Sequence, residues 1–477
     1  MIGFLNDFLW GSVLIYVLIP IGLWFTIQSR FVQVRHFIHM FSIFGEAFGK
    51  AEDGKPTSFQ ALALSVAGRV GAGNIAGVAV AISLGGPGAI FWMWVVGLVG
   101  MATSFFECTL AQAYKRLEPD TGTFRGGPAY YIKHGLSKRL GKGAIWLAGF
   151  YSILLLVTFG FAFSVLQSYA ISTSMADAFS VPPIATGLAL AAVIALVIFG
   201  GINRITAVTE YVVPIMALIY IVMVVVVIAM NASELPSVFS RIFAGAFGLD
   251  AAIGGGIGAA VTNGMRRGLF SNEAGLGSAP NVAAVAHVRH PARQGVVQAL
   301  SVFIDTMLIC TCTASIILLS DIQPMTTDLD GVVLTQNALA DHIGGWAQGF
   351  IAFALLLFVF SSIMYNYFLG ENALSFFSRD HKLTYHLFRI ATLGFIVVGA
   401  TIDFGSAFAF ADLTMGVLAL TNLFALILLF PIGLRLMRDF DAKARGGREP
   451  GFEAGEFPDL DLDATAWPVS THSSRKE

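Results

Sequence analysis

Eleven apolar runs dominate this sequence, at roughly 8–27, 59–84, 88–114, 145–172, 182–200, 205–230, 249–279, 294–319, 346–376, 386–402 and 410–434. Each is close to the roughly 20 residues that a helix needs to cross a bilayer core. Backbone polar groups have no water to bond inside lipid, so spans of this length must be helical. The expected fold is therefore an all-α polytopic membrane protein of about 11 transmembrane helices. A composition of 56% hydrophobic and 12% charged residues, with a mean hydropathy of +0.75, excludes an ordinary soluble domain.

Loop charge predicts the orientation. Segment 115–144 carries seven Lys or Arg (Lys115, Arg116, Arg125, Lys133, Lys138, Arg139 and Lys142), whereas 320–345 carries none and has four Asp. Basic loops stay in the cytoplasm. The N-terminus, without Lys or Arg before Arg30, is then outside, and the tail with Arg435, Arg438, Lys443, Arg445 and Arg448 is inside. Arg241 alone breaks the pattern. The first run has no basic n-region or clear cleavage site, so it is expected to stay as a span. Cys108, Cys310 and Cys312 lie in apolar runs and suggest neither a disulfide framework nor a zinc site.

Two of the runs cannot be continuous helices. Gly68-Arg-Val-Gly-Ala-Gly-Asn-Ile-Ala-Gly77 interrupts the second, about ten residues beyond the capping-box signal Thr57-Ser58-Phe59-Gln60. Ten residues at 1.5 Å rise reach about half a bilayer. The seventh carries Gly254-Gly255-Gly256 and Gly258, then Thr262 to Gly275 with Asn263, Arg266, Arg267, Ser271, Asn272 and Glu273. Each break opens a five-span unit, and an odd number of spans inverts the second unit relative to the first. This predicts 1–58 as an N-terminal helix with an amphipathic connector, 59–230 and 231–440 as inverted repeats, and 441–477 as a disordered cytoplasmic tail. Interrupted spans at matching places in two halves point to a transporter with a midplane site.

The chemistry of such a break is specific. The first half-helix ends in unpaired carbonyls that suit a small cation, and the second begins with N–H groups that suit an anion. Carbonyls from Arg69 to Ala72 are candidate Na+ ligands; Gly73, Asn74 and Ile75 are candidate donors to a carboxylate. Close helix packing on small residues is the alternative reading of the same glycines. Ser361 and Ser362, in the middle of the ninth run, are hydroxyl candidates for the cation shell or back-bond their own helix. Phe159, Phe163 and Gln167 share a face at i, i+4, i+8 spacing, and either line a cavity or pack. Thr421 and Asn422 interrupt the eleventh run in the same ambiguous way. Intramembrane charges are functional candidates by default: Arg69, Glu107, Glu210, Arg266, Arg267, Glu273, Asp305 and Glu371, with Glu273 and Asp305 foremost as gating or proton-carrying groups. The sequence has no HExxH, phosphate loop or GxSxG elbow, so an enzyme is not expected, nor a cofactor, ATP use or a nucleic-acid partner.

Gly68 to Ala79, Gly85-Gly-Pro-Gly-Ala-Ile-Phe-Trp-Met-Trp94, Phe124-Arg-Gly-Gly-Pro-Ala-Tyr-Tyr131 and Arg267-Gly-Leu-Phe-Ser-Asn-Glu-Ala-Gly-Leu-Gly-Ser278 resemble the alanine or glycine:cation symporter family over nearly the whole chain. The resemblance implies Na+-coupled, occasionally H+-coupled, uptake of alanine or glycine across the cell membrane. It also implies a leucine-transporter-type fold of five plus five inverted spans behind an extra N-terminal one. The substrate would meet Ala72 to Ile75, Phe270, Ser271 and Asn272, with Phe163 and Gln167 around it. By fold analogy Na+ would lie between the second-span break, Arg69 to Ala72, and Ser361 and Ser362. At Ala72 the chain departs from the family's common threonine, which leaves only backbone recognition there. Proton coupling through Glu273 or Asp305, and a non-transporting sensor, stay open as alternatives, as does the oligomeric state.

Overall fold

A computed structural model describes residues 2–46, 56–118, 122–248, 256–327, 329, 331–378, 382–402, 404–445 and 450–468. Helices occupy all eleven expected segments; a two-stranded antiparallel ribbon, Arg116–Leu117 with Phe124–Arg125, closes the long basic loop. Seven helices are by themselves long and apolar enough to cross a membrane, from Ile2–Gln28 to Ala407–Arg445. The pair Ser58–Arg69 and Gly73–Gly85, bent by 47°, makes an eighth. The fifth segment, Pro183–Ile198, is shorter. The seventh is split into Gly256–Asn272 and Ser278–Ala283; Gly254 and Gly255 lie outside the described residues.

The second span starts as its sequence dictates. Thr57 Oγ1 accepts from Gln60 N and Gln60 Oε1 from Thr57 N, each at 3.1 Å, so the capping box satisfies two otherwise orphaned donors. Its residues are almost all buried, as are those of the third span, Gly88–Ala113, in the half toward residue 113. By contrast the sixth, Gly201–Met230, exposes Tyr211, Ile215, Leu218, Val222 and Val225. Apolar side chains on that face have lipid as their solvent, so the interior is built around the second, third, seventh and eighth spans.

The tail corrects an expectation. Residues 450–468 are not a loose acidic extension: Phe452, Phe457 and Trp467 are buried against the body of the protein. The acidic composition that reads as disorder is instead matched to basic loops, and three aromatic residues supply the apolar anchor that a solvated tail lacks.

Candidate substrate and cation site

The two breaks meet. At the first, Gly71 N donates to Asn74 Oδ1 (2.9 Å) and Asn74 N to Gly71 O (3.2 Å), so Asn74 closes the gap between the half-helices with its own side chain. Its amide nitrogen faces the seventh span, donating to Ser271 Oγ (3.0 Å) and to Asp305 Oδ1 (2.6 Å) on the eighth. Ser271 Oγ also donates to Asp305, at 3.0 and 2.9 Å from its two oxygens, and Thr306 Oγ1 lies 2.8 Å from Oδ2. Asp305 is fully buried, and among the described residues no Arg, Lys or His forms an ion pair with it. A carboxylate surrounded only by neutral donors leaves a charge that a cation or a proton has to balance.

On the other side of the break the ninth span, Trp346–Ser375, brings Ser362 to the end of the first half-helix. Its hydroxyl lies 2.8 Å from Ala67 O and 3.4 Å from Val70 O. These carbonyls, rather than those of Arg69 and Ala72, are the ones Ser362 meets. Ser361 points elsewhere: it back-bonds to Phe358 O (3.0 Å) and touches Met216 Sδ of the sixth span (3.5 Å). One residue of helix rotation, about 100°, separates the two roles. On the expectation of Na+-coupled uptake, Ser362→Ala should raise the Na+ concentration for half-maximal uptake about five- to tenfold, one hydroxyl ligand being worth about 1 kcal/mol. Ser361→Ala should leave it within about twofold, and an equal effect of both would remove this distinction.

Above the break lies a cavity of about 230 Å³ lined by Ala72, Ala76, Leu166, Gln167 and Phe270, with Gly331 and Val332 of the connecting helix Gly331–Ile343 at its other end. Gln167 Oε1 accepts from Ala72 N at 3.0 Å, and Thr335 Oγ1 donates to Ile75 O at 3.2 Å, fixing the connecting helix on the second half-helix. Phe163, Phe270 and Phe408 stack in sequence, with ring centroids 4.7 and 5.4 Å apart. Arg267 covers the rings of Phe408 (4.7 Å) and Phe270 (5.4 Å) and is ion-paired to Asp412, which also has Arg266 at 3.8 Å. Of the predicted substrate residues, Ala72, Gln167 and Phe270 line the cavity and Phe163 backs it. Asn74 and Ser271 belong to the Asp305 cluster, and the Ile75 side chain is buried away from the cavity. Asn272 turns inward, accepting from Ala274 N at 3.0 Å.

Beneath the cavity the second break is sealed by the protein's own groups. Glu273 adopts a left-handed conformation (φ 54°), followed by Gly275 (φ 90°) and Gly277 (φ 80°), where the absence of Cβ makes the turn inexpensive. Glu273 Oε2 accepts from Tyr365 OH (2.8 Å) and Ser278 Oγ (2.5 Å). Glu107 of the third span accepts from Gly275 N and Gly277 N (3.2 Å each) and Asn422 Nδ2 (3.1 Å). Asn422 thus serves the break loop rather than the cavity, and Thr421 back-bonds to Val417. Arg69 turns away from the cation candidates to Gln298 O, Ser301 Oγ and Ser104 Oγ. Glu210 pairs with Gln60 (2.9 Å), and Glu371 lies between Arg125 (3.8 Å) and Arg389 (3.9 Å). Tyr365 and Ala76 carry no signal in the sequence, because an aromatic or a methyl in an apolar run reads only as packing.

Comparison with known proteins gives this geometry a context. The model of the sodium:alanine symporter family matches residues 1–454. The chain belongs to that family. This symporter-family chain is 46% identical over 463 residues to the amino-acid carrier protein AlsT of Bacillus subtilis, covering 97% of this chain and 96% of the relative. It is 42% identical over 469 residues to the probable sodium/glutamine symporter GlnT of the same organism, covering 98% and 96%. Among solved structures, a mutant manganese transporter of Eremococcus coleocola aligns with a TM-score of 0.51 at 12% identity, over 80% of this chain and 78% of that one. At such identity the likeness is one of fold alone, and it agrees with the leucine-transporter-type fold that the family resemblance implied. The family's members are transporters, not enzymes.

Proposed function

We propose that this protein is a Na+-coupled symporter that carries small neutral amino acids, alanine or glycine, into the cell by alternating access. The observation that carries the reading is the junction of the two broken spans at Asn74, Ser271 and Asp305, directly beside a cavity of about 230 Å³. The N–H groups of the seventh-span break are already occupied by Glu107. A substrate carboxylate therefore belongs at the second-span break, next to Gly73 and the Ala72 N–H that Gln167 now holds. Its amine belongs near Asp305 and the carbonyls of the opposite half-helix. Na+, a hard cation, suits donors that are hydroxyls, carbonyls and a single carboxylate: Ser362 with Ala67 and Val70 on one side, Asp305 with Ser271 on the other. Among the described residues no three His, Cys, Asp or Glu side chains converge as a transition-metal site would require.

The same reading places the N-terminus outside and the C-terminus in the cytoplasm, and takes 59–230 and 231–440 as the inverted repeats. One Na+ moving inward at 100 mV releases about 2.3 kcal/mol. At about 1.4 kcal/mol per decade, this sustains roughly 50-fold accumulation of a neutral substrate. Proton coupling is the second reading, favoured because no Arg, Lys or His among the described residues forms an ion pair with Asp305.

Uptake of labelled alanine and glycine into proteoliposomes tests the proposal. Uptake is expected to fall at least tenfold when choline replaces Na+ at fixed pH. Accumulation that persists without Na+ under a pH gradient selects the proton reading. Absence of accumulation under every ion gradient rejects transport of these substrates.

A further inference from the structure

Residues 450–468 cross the end of the molecule where the third, eighth and eleventh spans and the basic loop meet. Ala454 N donates to Trp467 O (3.3 Å), closing the segment into a loop with Phe452 against Trp467 (5.0 Å) and Phe457 (5.0 Å). Trp467 Nε1 donates to Ala113 O, the last residue of the third span, at 3.2 Å. Lys115 Nζ sits over the Trp467 ring (4.2 Å) and donates to Ala286 O (3.2 Å), just beyond the second half of the seventh span. The Phe452 ring meets His290, the N-cap of the eighth span, at 5.3 Å.

Three acidic residues of the segment, Glu456, Asp459 and Asp461, meet basic side chains. Asp459 pairs with Arg435 (2.8 Å), and its carbonyl accepts from Lys138 (2.6 Å). Asp461 meets Arg116 (3.1 Å) and His134 (2.6 Å), Asp463 accepts from Leu117 N (3.1 Å), and Glu456 pairs with Lys443 (2.6 Å). One segment thus ties the ends of three spans to the loop between the third and fourth. A single exposed ion pair contributes little, but a row of them around a buried tryptophan fixes a register.

We propose that residues 450–467 are a strap across the cytoplasmic mouth, holding it closed and lifting when the inner halves of the second and seventh spans separate. This rests on the alternating-access reading. The inner half of the seventh span, Ser278–Ala283, runs on into Ala286 and His287, which are anchored to Lys115, Gln112 and Pro56. Outward movement of that end pulls Lys115 from beneath Trp467, so opening and strap release are one event. The strap adds to the barrier for inner opening without touching substrate, and its strength sets maximal rate rather than affinity.

Reversible crosslinking tests this. His134→Cys with Asp461→Cys, bridged in detergent by a short bis-methanethiosulfonate and then reconstituted, joins strap to loop; the native cysteines Cys108, Cys310 and Cys312 are buried. The bridged carrier is expected to lose at least about tenfold in maximal alanine uptake, with substrate binding unchanged and uptake restored by dithiothreitol. Undiminished uptake by the bridged carrier overturns the strap alone. No uptake by the reduced protein overturns the transport reading and the strap with it. Trp467→Ala in the otherwise unaltered chain is the second test, expected to raise maximal uptake about two- to fivefold at unchanged KM; an unchanged or lower maximum overturns the proposal.

Discussion

Asp305→Asn is expected to abolish Na+-dependent accumulation of alanine while leaving the protein folded. Asparagine keeps the shape of the side chain and can still accept from Ser271, whose hydroxyl lies 3.0 and 2.9 Å from the two carboxylate oxygens. What it removes is the formal charge of a fully buried group that has only neutral donors around it. Two unit charges about 4 Å apart at an effective dielectric near 20 interact by about 4 kcal/mol. Losing that term lowers Na+ affinity on the order of a thousandfold. The measurement is alanine uptake into proteoliposomes across a range of Na+ concentrations, with melting temperature as the folding control. An unchanged half-saturating Na+ concentration would exclude Asp305 from the cation site. Loss of pH-driven uptake with Na+-driven uptake intact would instead make the carboxylate a proton carrier.

Gly68→Ala is expected to lower uptake at least about tenfold and to reduce thermal stability, although it adds one methyl group to a helix. A Cβ at Gly68 would lie only 2.3–2.5 Å from three ring carbons of Tyr365. That ring is buried, and its hydroxyl is held 2.8 Å from Glu273, so it cannot swing aside without leaving a buried carboxylate one donor short. Overpacking costs about 1–3 kcal/mol, and an unmet buried acceptor about as much again. Tyr365→Phe keeps the ring and should not relieve the defect; Tyr365→Leu should relieve its steric part. Native-like uptake by Gly68→Ala would show that the contact between the two breaks is not required for closure of the inner half.

Much of the architecture was legible because it follows from local physics. The apolar runs, the Thr57–Gln60 cap and the incompatibility of Gly68–Gly77 with a continuous helix each depend on a few neighbouring residues, and helices or bends stand where they were expected. The C-terminal tail was misread for an equally local reason. Its acidic composition lacks a partner until the chain folds, when Arg116, His134, Lys138 and Arg435 come within reach and Trp467 finds the end of the third span.

Pairings inside the bilayer could not be read in advance. Hydropathy shows that Asn74, Ser271 and Asp305 are out of place in lipid and must find partners, but not which ones. Asn74 and Asp305 are 231 positions apart, and a rotation of about 100° separates Ser362, at the break, from Ser361, which is not. The sequence by itself determined that this chain crosses a membrane many times, with the second span broken near its middle and the seventh interrupted, because the cost of exposing peptide groups and glycine-rich turns to lipid depends on composition; it did not locate the seventh-span break, which follows the continuous helix Gly256–Asn272. Only the tertiary structure decided that the breaks face each other, that Glu107 fills the second and leaves the first beside the cavity, and that Asp305 lies between them. Those outcomes depend on how helices distant in sequence dock, and burial of polar groups rewards whichever docking satisfies them all.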